Sequence, residues 1–386
     1  MTSASSAKPR VLVAMSGGVD SSVTAWLLKE QGYDCVGAIM RLHDGTRDAG
    51  AGAGAKAEGS GPGNEPDDTA SARAVAERLG MPFYVLDRRE AFARDVIEPF
   101  VCAYERGVTP NPCCICNRRI KFGALLDAAR ELGCTHLATG HYARVVHTAD
   151  GAHALAKARD LTKDQSYFLY GLSDDALAHV IFPLGDLTKE GDVRRIAREQ
   201  GFASAERRDS QGICFVADND FASFIERWRE HTLPEGDVLA QDGRTLGRHS
   251  GAIRYTVGQR KGIGIAADRP LYVTAIDAVA NTVTLGYEED LLASALITED
   301  WTWTGGAPAR EAELAAAGEA GVPLTAKIRY RQPDQACRLS RVTAGPDAGA
   351  MCLDFALPQK GIAPGQAVVA YRGDTVIGGG SVCRAL

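Results

Sequence analysis

Arg10-Val11-Leu12-Val13-Ala14-Met15-Ser16-Gly17-Gly18-Val19-Asp20-Ser21-Ser22 is the stretch on which the fold turns. Arg10 to Met15 reads as a buried strand. Ser22 to Gln31 has the spacing of an amphipathic helix stopped by Gly32, and Cys35 to Met40 reads as a second strand. Strand, turn, helix and strand open a βαβ unit. The turn sits where backbone N–H groups and the positive end of a helix hold a phosphate. Gly17 and Gly18 let the backbone approach closely, and the serines add hydroxyl donors. No Gly-Lys-Ser/Thr follows, so transfer of a terminal phosphoryl group is not the natural chemistry. The bland alternative, a serine-rich N-cap on a glycine turn, does not account for seven suitable residues in this context.

Beyond the first unit, Gly45 to Asp68 is Gly-, Ala- and acid-rich without periodicity and reads as a mobile insert. A helix at Thr69 to Leu79, a strand at Phe83 to Asp87, helical segments at Arg89 to Glu105 and Phe122 to Leu132, and a strand at His136 to Thr139 follow. Alternating strands and helices predict an α/β fold with a parallel sheet covered on both faces. After about Arg208 the texture changes. A short helix at Asp220 to His231 gives way to Gly-punctuated β-type segments such as Gly251 to Val257 and Leu271 to Ile276. From about Thr298 only short strands are predicted, among them Leu324 to Arg329, Ala367 to Tyr371 and Thr375 to Ser381, suggesting a small C-terminal β-barrel. The expected division is 1–208, 209–297 and 298–386.

A chain of 386 residues, 45% of them hydrophobic, can bury more than one core. No run of 18 apolar residues occurs, and Met1 to Arg10 has no apolar segment of a secretory signal, so a cytoplasmic location without membrane attachment is expected. The ten cysteines, scattered through a large chain, favour thiols kept for chemistry over disulfides. A formal net charge of -6 argues against indiscriminate nucleic-acid binding, so any RNA must be read by local patches.

Two cysteine segments stand out. In Thr109-Pro110-Asn111-Pro112-Cys113-Cys114-Ile115-Cys116-Asn117-Arg118-Arg119-Ile120-Lys121-Phe122, proline-stiffened turns bring thiols beside three cations, which favour the thiolate a nucleophile or sulfur carrier needs. Closed zinc binding would require a second Cys-x-x-Cys, and there is none. The other is Asp209-Ser210-Gln211-Gly212-Ile213-Cys214-Phe215. By itself a cysteine between Ile and Phe reads as core, as does Met40.

The loop Ser16 to Ser22 looks like the PP-loop of the ATP pyrophosphatases, with the adenine nucleotide alpha hydrolase-like fold. In order and spacing, SGGVDSS, TPNPCCICNRRIKF, ATGHYAR, KDQSYFLYGL, DSQGICFV, YTVGQRKGIGI, KIRYRQ and PGQAVVAY resemble the bacterial tRNA-specific 2-thiouridylases over nearly the whole chain. The resemblance implies ATP bound by Ala14, Met15, Ser16, Gly17, Gly18, Val19, Asp20 and Ser21, with Met40 and Gly140 at the adenosine. It implies Cys116 as nucleophile, Cys214 as the cysteine persulfide, and a transient Cys116–Cys214 disulfide. ATP would adenylate O2 of the wobble uridine and sulfur would displace AMP. Asn111, Pro112 and Cys113 would face the target base, with Lys163, Asp164, Gln165, Arg329, Tyr330, His141 and Gln366 touching tRNA. These are groups suited to phosphates, base edges and stacking.

Most members have Asn-Pro-Asp where this chain has Asn111-Pro112-Cys113, so the role of that carboxylate has no counterpart here. The alternative for the thiols is an iron–sulfur cluster held by Cys113, Cys116 and Cys214. Implied besides are Mg2+, a cysteine desulfurase or sulfur-relay protein as persulfide donor, and tRNAs with Lys, Glu and Gln acceptors; a monomer is expected. Two rivals are a PP-loop synthetase acting on a small molecule, which needs no cysteine pair, and a noncatalytic RNA-binding or sulfur-relay module, which releases no pyrophosphate.

Overall fold

The computed structural model describes residues 8–43, 67–148, 151–207, 212–216 and 220–386. The stretch 44–66, holding nearly all of the expected insert, and the boundary at 208/209 lie outside them. The chain divides into two compact units, residues 1–93 with 116–215, and residues 94–115 with 216–386.

The first unit is built on a five-stranded parallel sheet. β1 (Arg10–Ala14) lies between β2 (Asp34–Arg41) and β4 (His136–Ala138), with β3 (Phe83–Asp87) outside β2 and the short strand Val180–Ile181 outside β4. Central strands of such a sheet must be apolar on both faces. Val11, Leu12 and Val13 are accordingly fully buried. Val11 and Val13 pack with Val23 and Leu28 of α1 (Val19–Glu30) and with Ala72 and Ala76 of α2 (Asp67–Arg78). The loop and helix expected from the opening stretch therefore stand at the carboxyl end of the central strand.

The sequence reading took 89–105 and 122–132 as plain helices, and both differ in detail. Arg89–Phe92 and Glu98–Glu105 are joined by the π-helical turn Ala93–Ile97, and a second π-helical segment, Asn117–Ala124, links Pro112–Cys116 to Leu125–Glu131. The wide turn i→i+5 inserts a residue that local periodicity does not announce.

In the second unit, Gly236–Ala240, Thr245–His249, Tyr272–Asp277 and Thr282–Gly286 form one sheet around Val238, Val273, Val283 and Leu285. The expected strand Gly251 to Val257 is instead a tight 3-10 turn at Ala252–Arg254 entered through Gly251 at φ 126. A six-stranded antiparallel barrel follows, in the order Leu292–Trp303, Met351–Lys360, Gln335–Arg341, Val322–Lys327, Ala367–Arg372, Thr375–Ala385, closing back on Leu292–Trp303. Leu296, Leu324, Leu339, Leu353, Val368 and Ile377 fill it. The expected boundary at Thr298 falls inside the first barrel strand, and the expected run of strands is interrupted by a helix at Ala307–Ala317, where only Leu314 is buried.

Residues 94–115 are fastened within the second unit at both ends. Arg229, in the helix Phe221–Arg229, bonds to Glu105 at 2.7 Å and to Glu98 at 2.7 Å, and Trp228 donates to Glu98 at 3.0 Å. Further on, Thr109 N–H donates to Pro364 O at 3.0 Å, and Gln366 Nε2 donates to Thr109 O at 3.0 Å. Gly365 has φ 84, and a Cβ there would overlap Val108 and sit 2.9 Å from Thr109 O. Gly365→Ala should therefore cost about 2 kcal/mol or more, the sum of a left-handed backbone and overpacking. Chemical denaturation reads this, and a loss under about 0.5 kcal/mol would contradict the docking.

Candidate active site

The loop after β1 is held open by its own side chains. Ser21 Oγ accepts from Ser16 N–H at 3.1 Å and donates to Gly18 O at 3.1 Å, while Ser22 Oγ donates to Gly18 O at 3.0 Å. Gly17, at φ 71, fits against the start of α2, where a Cβ would meet Asp68 O at 2.6 Å, and Ser71 Oγ bonds to Gly17 O. Helix α1 starts at Gly18 without a side-chain cap, and the N–H groups of Gly18, Val19 and Asp20 have no acceptor among the described residues. Uncapped N–H groups at a helix start, with glycine in place of Cβ, suit an anion such as a nucleotide phosphate. Ser16 is exposed, whereas Met15 is buried and offers the loop only its backbone. Met40, at the end of β2, is half-buried.

Behind the loop lies a fully buried cation. Lys189 is 1% exposed, and its Nζ lies 2.8 Å from both carboxylate oxygens of Asp20. Tyr142 OH donates to Asp20 Oδ1 at 2.8 Å, and the ammonium lies 5.9 Å from the Tyr142 ring centre. Sealing an ammonium from water costs several kcal/mol, which only a fixed counter-charge offsets.

Three successive residues of the Gly140-His141-Tyr142 turn serve this end of the sheet. A Cβ on Gly140 would press on Asp20 and Ser21 at 3.0–3.1 Å, so helix α1 comes to rest on it. His141 Nδ1 lies 2.7 Å from Thr139 Oγ1 and its Nε2 3.5 Å from Lys121 Nζ, with Phe122 and Phe182 beside the ring. Burial, aided by the Lys121 charge, holds the imidazole pKa well below the ordinary 6.5. A neutral ring facing an ammonium through Nε2 carries its proton on Nδ1. Tyr142 is also locked, since its N–H donates to Gln165 Oε1 at 2.9 Å and its carbonyl accepts from Gln165 N–H at 2.8 Å.

The neighbouring residues of that segment divide. Lys163 is half-exposed, but Asp164 is buried. One Asp164 oxygen accepts from Ala158 and Ser166 N–H and the other from Ser166 Oγ. The Asp164 carboxylate, expected from the resemblance at a tRNA contact, shapes the turn that carries Lys163 and Gln165.

Cys116 is buried, and its neighbour Asn117 donates through Nδ2 to Phe168 O at 3.1 Å, tying the π-helical segment to the 3-10 turn Ser166–Leu169 that follows Gln165. Cys214 is exposed on a turn anchored by buried Phe215, whose ring meets Phe92 edge-on at 5.5 Å. Both belong to the first unit. In the second unit are Asn111, Pro112 and half-buried Cys113, together with exposed Arg329, half-buried Tyr330 and Gln366, whose amide holds Thr109 just before Asn111. Among the described residues no three His, Cys, Asp or Glu side chains gather as a metal site.

Residues 9–218 match the tRNA methyl transferase HUP domain, 222–287 the tRNA methyl transferase PRC-barrel domain and 293–382 the aminomethyltransferase beta-barrel domain. The chain is 46% identical over 380 residues to the tRNA-specific 2-thiouridylase MnmA of Geobacter metallireducens, covering 98% of each. It is 44% identical to the protein of the same name from Carboxydothermus hydrogenoformans, covering 98% of this chain and 99% of that one. The chain belongs to the tRNA-specific 2-thiouridylase family. Membership of that family makes the N-terminal parallel-sheet unit, a central domain and a closed barrel its three architectural parts. No described helix is long and apolar enough to cross a membrane.

Within this 2-thiouridylase fold, the sequence reading missed Lys189, Tyr142 and Thr139, and it read Lys121 only as a cation near the thiols, whereas its ammonium faces His141. Lys189 was hidden in an ordinary helix start, where Thr188 N–H and Oγ both bond to Asp192; a lone lysine there reads as solvated. Asp20→Asn, which strands the Lys189 ammonium, should cost about 3 kcal/mol, and adding Lys189→Met should restore most of it. Thermal or chemical unfolding of the set checks this, and an Asp20→Asn loss below about 1 kcal/mol would sink the buried-pair account. For His141 the sign is set by the depressed folded pKa. Below about 6.5 the unfolded chain binds a proton that the folded site refuses, so stability falls as pH drops. Between about pH 7 and pH 5, His141→Asn should lose less stability than the parent, and equal losses would contradict the neutral ring.

Proposed function

We propose that this protein thiolates tRNA at C2 of the wobble uridine, position 34, in an ATP-dependent reaction with a protein persulfide, acting as a tRNA-uridine 2-sulfurtransferase. Family membership carries tRNA thiolation and the use of ATP. The uncapped start of α1, resting on Gly140 and fixed through Asp20 by Lys189, supports the nucleotide site.

In this reading, loop 14–21 binds the triphosphate and O2 of the uracil attacks the α-phosphorus. Pyrophosphate leaves and an O2-adenylyl base remains. Mg2+, when bound, would offset charge on the phosphates and the departing pyrophosphate. The terminal sulfur of a Cys214 persulfide then attacks C2 and expels AMP. The Cys116 thiolate attacks the inner Cys214 sulfur, breaking the S–S bond, releasing 2-thiouridine and leaving a Cys116–Cys214 disulfide. A thiol reductant restores both thiols, and a desulfurase or relay protein reloads Cys214. Exposure of Cys214 suits an incoming protein donor, and burial of Cys116 suits a thiol shielded from competing oxidants.

Lys163, Gln165, Arg329 and Tyr330 supply the phosphate, base-edge and stacking groups that an anticodon needs. Recognition of Lys, Glu and Gln tRNAs, a monomeric state and a place in the cytoplasm complete the reading.

Thiolation of unmodified tRNA with ATP and a persulfide donor, without oxygen, tests it. Cys116→Ser and Cys214→Ser should each lose about a thousandfold or more in rate, while Cys113→Ala stays within about threefold. Loss of all three, together with loss of iron and of an iron–sulfur absorbance, would replace the persulfide route by cluster chemistry. An inert parent that releases pyrophosphate on a small amide-forming substrate would point to a synthetase.

A further inference from the structure

The segment Thr256 to Ile265, in the second unit, carries charge that nothing in the fold uses. It is an irregular loop made rigid. Gly258 N–H donates to Val273 O at 2.8 Å, and Val273 N–H donates to Gln259 O at 2.9 Å. Gln259 then bridges the turn, accepting from Thr256 N–H at 3.0 Å and donating to Lys261 O at 2.9 Å. Gly258, Gly262 and Gly264 take φ of 88, 76 and 75, and Tyr255 and Ile263 are buried in the central core. At the crest, Arg260 and Lys261 are exposed, and neither side chain has a hydrogen-bond or ion-pair partner among the described residues.

The nearby carboxylates are already engaged. Glu289 pairs with Arg269 at 2.6 Å, Asp268 accepts from Tyr287 OH at 3.2 Å, Asp290 accepts from Tyr287 N–H at 2.7 Å, and Glu288 pairs with Lys360 at 2.6 Å. Arg269 is occupied, lying 3.6 Å over the Tyr287 ring. Two uncompensated cations on a pre-formed loop, in a chain of net charge -6, form a local positive patch.

The patch adjoins a residue already assigned to RNA. Arg329 Nη2 is 3.7 Å from where a Gly258 Cβ would stand, and the guanidinium is braced by the carbonyls of Lys360 and Gly361. Two residues further on, Arg331 is exposed and likewise without a partner among the described residues. The hollow beside Arg260, about 450 Å³, is open and lined by loop residues between Arg260 and Leu271. Such a hollow suits a long polyanion passing over the surface better than an enclosed small anion.

We propose that Thr256 to Ile265 is an RNA-backbone contact element, in which Arg260 and Lys261 bind tRNA phosphates beside Arg329. The inference rests on the tRNA reading above and extends its contact surface into the central domain. Phosphate contacts of this kind position the RNA without reading sequence, and each removes about one unit from the salt slope.

Binding of unmodified tRNA to the full chain, followed by fluorescence anisotropy across a salt series, tests it with R260Q/K261Q. The double variant should bind about tenfold or more weakly near 0.1 M salt, with its log–log slope reduced by about 1.5–2. Its melting temperature and its binding of a nonhydrolysable ATP analogue should not move, because these side chains touch nothing in the fold. An unchanged slope with tight parent binding overturns the element alone. An unchanged slope with weakened capture of the persulfide-donor protein reassigns the loop to protein docking and also overturns it. A parent that fails to bind tRNA at any salt overturns the tRNA reading beneath it.

Discussion

A lysine ammonium removed from water must be answered by a fixed negative charge, and in this fold Asp20 answers Lys189. That constraint sets the first turn of α1, because Asp20 is its second residue. Tyr142 holds the same carboxylate from the other side, and Gly140, two residues earlier, leaves the room in which α1 rests. Gln165 in turn fixes Tyr142 through two backbone bonds. One buried charge thus couples the phosphate loop, the end of β4 and the segment that presents Lys163. The N–H groups at the start of α1 are held in place by the fold itself, and preorganisation of this kind would spare binding energy for the nucleotide proposed to sit there.

The path of the chain is equally telling. Residues 94–115 belong with the central and barrel domains, whereas Cys116 opens the segment that returns to the sheet. The residues proposed to face the base, Asn111 to Cys113, therefore follow closely on Thr109, which is docked on the barrel turn 363–366, and the proposed nucleophile ends the short helix Pro112–Cys116, beside Asn117, which is fastened to Phe168. Gln366, expected from family resemblance to touch tRNA, has a visible second task in holding Thr109.

Much of this was legible from the residues. β1 to β4 and α1 follow directly from apolar runs and glycine punctuation, and Ser16 to Ser22 declared the glycine turn between β1 and α1. What escaped was whatever tertiary packing decides. The π-helical turns depend on contacts such as Asn117 with Phe168, and Ala307–Ala317 has too few buried positions to show a period. Asp164 illustrates the same limit at the site: an acid beside a lysine reads as surface, yet its oxygens close a buried turn. Lys189 is the converse, a lysine whose burial no local pattern betrays. The separate roles of Cys116 and Cys214 came from family resemblance, with the cations near Cys116 as the local hint, since a lone thiol has no periodicity to read.

The central claim is that ATP activates the oxygen of the base itself. Unmodified tRNA carrying 18O at C2 of the wobble uridine, thiolated in a single turnover, tests this most directly. The account predicts that the label leaves in AMP, one atom per 2-thiouridine formed, with none in pyrophosphate. Label released to water, or AMP formed without it, would contradict adenylation of the uridine.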